Sequence, residues 1–121
     1  MKKLLILSLF TSLGFASDLN IDSFSGYKFV TDTEDQFIQF NVDGTATGLI
    51  KGRYGNRFIT IKDTYWFFEI KYSQPRIILY FDSNGECVLE VSTKGSFLWF
   101  EYFAGNKCDL DDVLFVRKYK L

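Results

Sequence analysis

From Gly26 onward the chain meets a turn signal every eight to twelve residues, and the stretches between them carry apolar side chains at alternate positions. Alternation is what a half-buried strand requires, whereas a helix needs apolar residues at i, i+3, i+4 and i+7. No window after Ala16 sustains that helical spacing, and residues 18–24 hold at most one helical turn. The pattern predicts strands over 26–31, 36–42, 45–51, 57–62, 65–72, 76–82, 86–92, 96–103 and 112–120. Asp43-Gly44 reads as a two-residue hairpin, and Asp63-Thr64 as a less ideal one. Residues 52–55, 73–75, 83–85 and 93–95 mark the other turns. Connections this short force antiparallel neighbours. The expected fold is therefore all-β: an up-and-down meander of eight to nine strands that removes its raw edges by closing, or nearly closing, into a barrel.

The first sixteen residues stand apart. Two lysines precede an apolar run from Leu4 to Phe15, and the small residues Gly14 and Ala16 stand three and one positions before a cut. That is the layout of a secretory signal peptide. The run is shorter than the roughly 20 residues that span a bilayer. Residues 1–16 are thus expected to be an address cleaved after Ala16, and 17–121 a single barrel domain that is secreted or periplasmic. Loss of Lys2 and Lys3 takes the formal charge from −1 to −3. In an oxidising compartment the only two cysteines, Cys87 and Cys108, are expected to form one intramolecular disulfide.

Composition closes off much of the chemistry. The chain has no histidine, which removes the usual general base, the commonest zinc ligand and every Ser-His or Cys-His pair. A charge near zero gives no electrostatic footprint for nucleic acid. Asp109, Asp111 and Asp112, and Asp32, Glu34 and Asp35, could offer oxygens to calcium, but EF-hand spacing is absent and both clusters read as solvated loops. Nothing singles out two of Glu69, Glu86, Glu90 and Glu101 as a carboxylate pair. The glycines match no phosphate-binding motif. No catalytic residue, metal or cofactor is therefore assigned, and the chain is read as a non-enzyme. Arg117, Lys118 and Lys120 on the last strand read as edge protection.

Register sorts the apolar residues onto faces. Three-residue loops at 83–85 and 93–95 set Phe81 opposite Cys87, Leu79 opposite Leu89, Leu89 opposite Trp99 and Val91 opposite Phe97. A turn at Asp63-Thr64 sets Ile61 opposite Trp66 and Ile59 opposite Phe68. These residues then share an inner face, with Trp66, Phe68, Ile70, Leu79, Leu89 and Trp99 as candidate lining for an apolar ligand. Glu101 shares that register and is expected at the rim in water, an inward pair with Arg117 being the alternative. The opposite face is also aromatic: Tyr65, Phe67, Tyr80, Phe100 and Tyr102 stand there with Ile78, Val88 and Leu98, relieved by Glu69, Lys71, Asp82, Glu86 and Glu90. So large an apolar surface marks an interface, where Tyr and Phe are common anchors, the alternatives being an alternation out of register or a second sheet that covers this face.

Ser25-Gly26-Tyr27-Lys28-Phe29 opens the first strand, Phe40-Asn41-Val42-Asp43-Gly44-Thr45 runs into a hairpin, and Arg117 lies on the last strand. The arrangement resembles the lipocalin-like (calycin-type) group of small secreted barrels. That group opens with Gly-x-Trp and packs a basic side chain of the last strand over the tryptophan. Here Tyr27 and Phe29 flank the tryptophan's place. The resemblance implies a closed barrel with a binding role. Two functions remain: an exported binding protein taking an apolar ligand, and a protein–protein module (inhibitor, immunity protein or homodimer) acting through the outer aromatic face.

Overall fold

The computed structural model describes residues 19–53, 57–81, 85–102 and 109–121; the side chain of Tyr102 and the expected signal peptide and Cys108 lie outside what it describes. Its strands are β1 (Tyr27–Val30), β2 (Phe37–Phe40), β3 (Thr45–Lys51), β4 (Phe58–Lys71), β5 (Gln74–Phe81), β6 (Gly85–Lys94), β7 (Phe97–Tyr102), β8 (Val113–Phe115) and β9 (Arg117–Lys120). They form one antiparallel sheet in the order β8-β7-β6-β5-β4-β3-β2-β1-β9. Only Val116 separates β8 from β9, and its N–H donates to the carbonyl of Val30 at 3.0 Å. One bent terminal segment therefore pairs with β7 through its first half and with β1 through its second, which brings the sheet round into a nearly closed barrel. The expectation of one strand over 112–120 is corrected accordingly: the segment is two strands, and β9, carrying Arg117, Lys118 and Lys120, pairs with β1 on one side and stands at the end of the sheet order.

The expected break at Asp63-Thr64 is also absent. β4 runs 14 residues through it, pairing with β3 up to Tyr65 and with β5 from Tyr65 onward. What the chain has there is a bulge: Ala46 faces Thr64 while Gly48 faces Ile61, so Lys62 and Asp63 together oppose Thr47. Asp63 takes a positive φ of 52°. One inserted residue switches which face the following side chains take. The parity change expected from a turn is thus delivered by a bulge. Ile59, Ile61, Trp66 and Phe68 do share the inner side, although Ile61 pairs with Gly48 and Trp66 with Leu79.

The turns follow local backbone chemistry. Tyr72 and Ser73, at φ 52° and 63°, link Lys71 to Gln74 with the double positive φ of a type I′ turn. β5 therefore begins two residues earlier than expected and includes Pro75. After β2 the loop has three residues, Val42-Asp43-Gly44, since Asn41 N–H donates to Thr45 O at 2.8 Å; Gly44 supplies its positive φ of 92°. Asp43 accepts from the Thr45 hydroxyl at 2.6 Å and from its N–H at 3.0 Å. Those bonds, the hydroxyl first, hold the Asp43 carboxyl below its ordinary 3.8.

The interior is filled by rings. Ahead of β1, a short 3₁₀ helix (Ile21–Ser23) is capped where Asp22 N–H donates to Asn20 Oδ1 at 2.8 Å and Asn20 N–H donates to Ser23 Oγ at 3.1 Å. It delivers Phe24, wholly buried, into the barrel. The Phe24 ring lies 5.6–6.3 Å from those of Phe29, Phe40, Phe68 and Phe100. Phe40 in turn packs 5.0 Å from Trp66, and Phe100 5.3 Å from Phe115. Offset and edge contacts at such distances are favoured ring geometries.

Candidate functional site

The second half of β4 and the facing stretch of β5 present an outer surface in three rows across the sheet. Tyr65, Tyr80 and Glu86 form the first, and Phe67, Ile78 and Val88 the second. Glu69, Arg76, Glu90 and Glu101 form the third. Residues directly opposite on one face are contact partners. Tyr65 is 56 % exposed, Phe67 52 % and Tyr80 42 %, whereas Ile78 at their centre is 9 % exposed. The Phe67 and Tyr80 rings meet edge-on, 5.3 Å apart at 89°. A surface groove of about 550 Å³ runs among Tyr65, Phe67, Phe68, Glu69, Ile78 and Tyr80.

Charge frames these rings. The Tyr80 hydroxyl is hydrogen-bonded to the Glu86 carboxylate, and that bond, reinforced by the negative charge of Glu86, by burial and by Glu69, raises the phenol above its ordinary 10.0. Arg76, 8 % exposed, reaches Glu90 at 3.1 Å and Glu69 at 4.0 Å.

Of the five residues expected on the outer face, Tyr65, Phe67 and Tyr80 are brought together there. Phe100 is not: it is fully buried inside. Tyr102 ends β7 opposite Leu89. The reason is the turn between β6 and β7. β6 continues to Lys94, and Gly95-Ser96, with Gly95 at φ 65°, makes a two-residue turn where three residues at 93–95 were expected. Val91 therefore faces Phe100, and Ser92 faces Trp99. The register difference is odd, so every β7 side chain changes face. Leu98 joins the core; Phe97 and Trp99 leave the inner set, and Lys94 Nζ lies 5.7 Å from the Trp99 ring centre. The hairpin between β5 and β6 slips by two residues instead, with Leu79 opposite Cys87, and the faces survive.

Four of the six expected lining residues stay together, and Ile70 and Trp99 do not join them. Trp66, Leu79 and Leu89 are buried in one core cluster, and Phe68 packs against it. Trp66 Nε1 donates to Asn41 O at 3.1 Å. Ile70 has the inward parity but is 54 % exposed beside the Tyr72-Ser73 turn. A cavity of about 260 Å³ does exist near one end of the barrel, with Leu19, Phe24, Phe29, Leu98, Phe115 and Arg117 in its wall, and none of the six expected residues lines it. Phe24 escaped the sequence reading because a segment of one helical turn has no periodicity to read.

Of the other charged residues singled out from the sequence, Arg117, Asp109 and Asp35 have local partners and Glu101 stands in water. Glu101 is exposed and stands opposite Glu90, so it faces outward. Arg117 donates to Asp32 O at 2.6 Å and to Glu34 Oε2 at 3.3 Å. Asp109 pairs with Arg57 at 2.6 Å. Asp35 accepts from the hydroxyls of Thr33 and Thr31 at 2.6 and 2.9 Å. Among the described residues no group of three acidic or cysteine side chains has metal-binding geometry, and no helix is long and apolar enough to cross a membrane. Comparison with protein-family models, curated proteins and solved structures returns no significant match.

Proposed function

We propose that this chain is an exported, non-enzymatic binding protein that engages a protein partner through the aromatic patch of β4 and β5. The observation that carries the reading is the side-by-side exposure of Tyr65, Phe67 and Tyr80 on a barrel whose interior already holds a buried aromatic cluster. Contiguous exposed rings of this kind mark interaction surfaces, and a few aromatic anchors supply most of the binding free energy at an interface. The ring-filled interior argues against a large enclosed ligand. The end cavity of about 260 Å³ favours a second reading, a small apolar ligand, which mass spectrometry of the natively purified protein would reveal as a bound adduct.

Lipocalin-like kinship belongs to the same proposal. It is supported by the meander and by a cation from the last strand lying over the first-strand aromatic. That cation is Lys118, with Nζ 4.5 Å from the Tyr27 ring centre, where the resemblance implied Arg117. Export rests on the N-terminal layout. It requires an intact mass beginning at Ser17 and no reactive thiol in the denatured, unreduced protein; a chain beginning at Met1, or two free thiols, would overturn it. A Cys87–Cys108 bond would close a loop of about 20 residues and stabilise the fold by roughly 3 kcal/mol.

The functional test compares proteins retained from native extract by the immobilised wild type and by Phe67→Ser. A protein lost with the variant, whose thermal unfolding is unchanged, supports the reading. Identical retention by both refutes it.

A further inference from the structure

We infer that the occupant of the patch is a cationic segment of another protein, one in which Arg or Lys alternates with aliphatic residues, and not a second copy of this chain. The inference rests on the patch being the binding face and adds the chemistry of what it binds. Two carboxylates border the rings, Glu86 opposite Tyr80 and Glu69 in the groove wall, and two more, Glu90 and Glu101, continue the Glu69 row across the sheet. The only cation in the same three rows, Arg76, is nearly buried and held against Glu69 and Glu90. Lys71 and Lys94 lie farther along the sheet, each near an aromatic ring of its own, Tyr72 and Trp99. The apolar surface is therefore bordered by negative charge at Glu86 and along the Glu69 row.

That border selects among occupants. A two-fold dimer through this face would set the patch against itself, bringing carboxylates onto carboxylates with no free cation in the rows to separate them. Like charges brought together at an interface disfavour association. An anionic lipid surface meets the same repulsion. A Lys or Arg side chain meets none, because its aliphatic stem can lie on apolar surface while its head reaches a charged partner. The rings suit that shape. Phe67 and Tyr80 stand at 89° to one another and form a corner in place of a flat platform. A cation over a Tyr or Phe face is attracted to the ring, and Glu69 in the groove wall, at 4.0 Å from Arg76, has a carboxylate to share with its head group.

The experiment titrates three acetylated, amidated nonapeptides into the ¹⁵N-labelled protein, alternating Leu with Arg, with Gln or with Glu, and follows backbone amide shifts. The Arg peptide should move the amides of residues 65–69 and 76–80 saturably, with at least tenfold tighter binding than the Gln peptide, and the Glu peptide should not saturate. Phe67→Ser leaves the charge unchanged and should weaken the Arg peptide at least threefold. Combined Glu69→Gln and Glu86→Gln should weaken it similarly and flatten its salt dependence. An amide spectrum superposable outside the patch confirms that each variant folds. Equal binding of the Arg and Gln peptides overturns the inference, as does an Arg affinity indifferent to Phe67→Ser, which is charge attraction alone. A dimer seen by light scattering and dissolved by Phe67→Ser also overturns it, while leaving the patch a binding face. The reading beneath fails separately, when extract retention does not depend on Phe67.

Discussion

Phe24 makes the sharpest demand on this description of the barrel, because a residue outside every strand is assigned a central place in the core. Phe24→Ala removes a fully buried ring that has four aromatic neighbours. Returning a buried apolar side chain of this size to water costs roughly 2 kcal/mol on area grounds. The cavity left behind, about 100 Å³ before relaxation, adds roughly another 2 kcal/mol at 24 cal/mol per Å³. The expected loss is about 4 kcal/mol, a large part of the 5–15 kcal/mol that holds typical domains folded. Urea unfolding followed by tryptophan fluorescence measures it, since Trp66 lies in the same ring cluster through Phe40. Phe24→Leu, which refills most of the space, should recover more than half of the loss. A cost below about 1 kcal/mol for the alanine variant would mean that the 3₁₀ segment merely rests on the barrel, and the filled-interior argument would fall with it.

Other consequences can be checked in the same preparations. Gly48→Ala should cost about 2 kcal/mol in urea midpoint terms, because its Cβ would come 2.6 Å from Phe37 O and 3.1 Å from Ile38 Cα, both backbone atoms; a neutral result would show that β2 and β3 lie farther apart. Glu86→Gln should bring the Tyr80 phenol back down toward 10.0, read from its ring carbon shift in alkali, since the bond and charge that raise it both come from Glu86. Thr45→Val should return the Asp43 carboxyl toward 3.8. The sign follows from linkage: a folded value below the unfolded one means stability present above pH 3.8 and lost as pH falls through the folded value. The variant should therefore show a smaller acid-induced loss over that window, and an unchanged acid limb would count against the turn.

How much of this was legible depended on what each residue had to specify. Asp43-Gly44 punctuates the chain because few residues other than glycine take a φ of 92°, so the β2–β3 turn could be located. The fold class followed from many such signals in succession. Faces were legible on β4 to β6, where the errors in register were even or were offset by a bulge. They were not legible on β7. Ser92-Thr93-Lys94-Gly95-Ser96 allows Gly95 to close a three-residue loop or to open a two-residue turn, and the odd difference between them exchanges Phe100 with Trp99. Both faces of β7 are aromatic, so hydrophobicity could not arbitrate. Bending of the last segment at Val116 was invisible for a related reason, since closure depends on where β1 and β7 lie in space.

The patch itself turns on the inserted residue at the bulge. Unbroken alternation from Ile59 and Ile61 would carry Tyr65 and Phe67 inward and leave Trp66 and Phe68 in water, and each set is apolar enough for a core. Polar atoms decide between them. With the bulge in place, Trp66 N–H donates to Gly44 O at 3.0 Å and its indole Nε1 to Asn41 O at 3.1 Å, tying the residue to the β2–β3 loop at two points. The fully buried Thr64 satisfies its hydroxyl on Lys62 O at 2.9 Å, across the bulge itself. Buried polar groups cost free energy unless bonded, and the bulged register leaves these donors satisfied. Asp63, held in the left-handed region where its Cβ is unfavourable, is the strain that accompanies that arrangement. It is also what turns Tyr65 and Phe67 outward. The core's hydrogen-bonding needs and the exposure of the binding face thus have the same local cause.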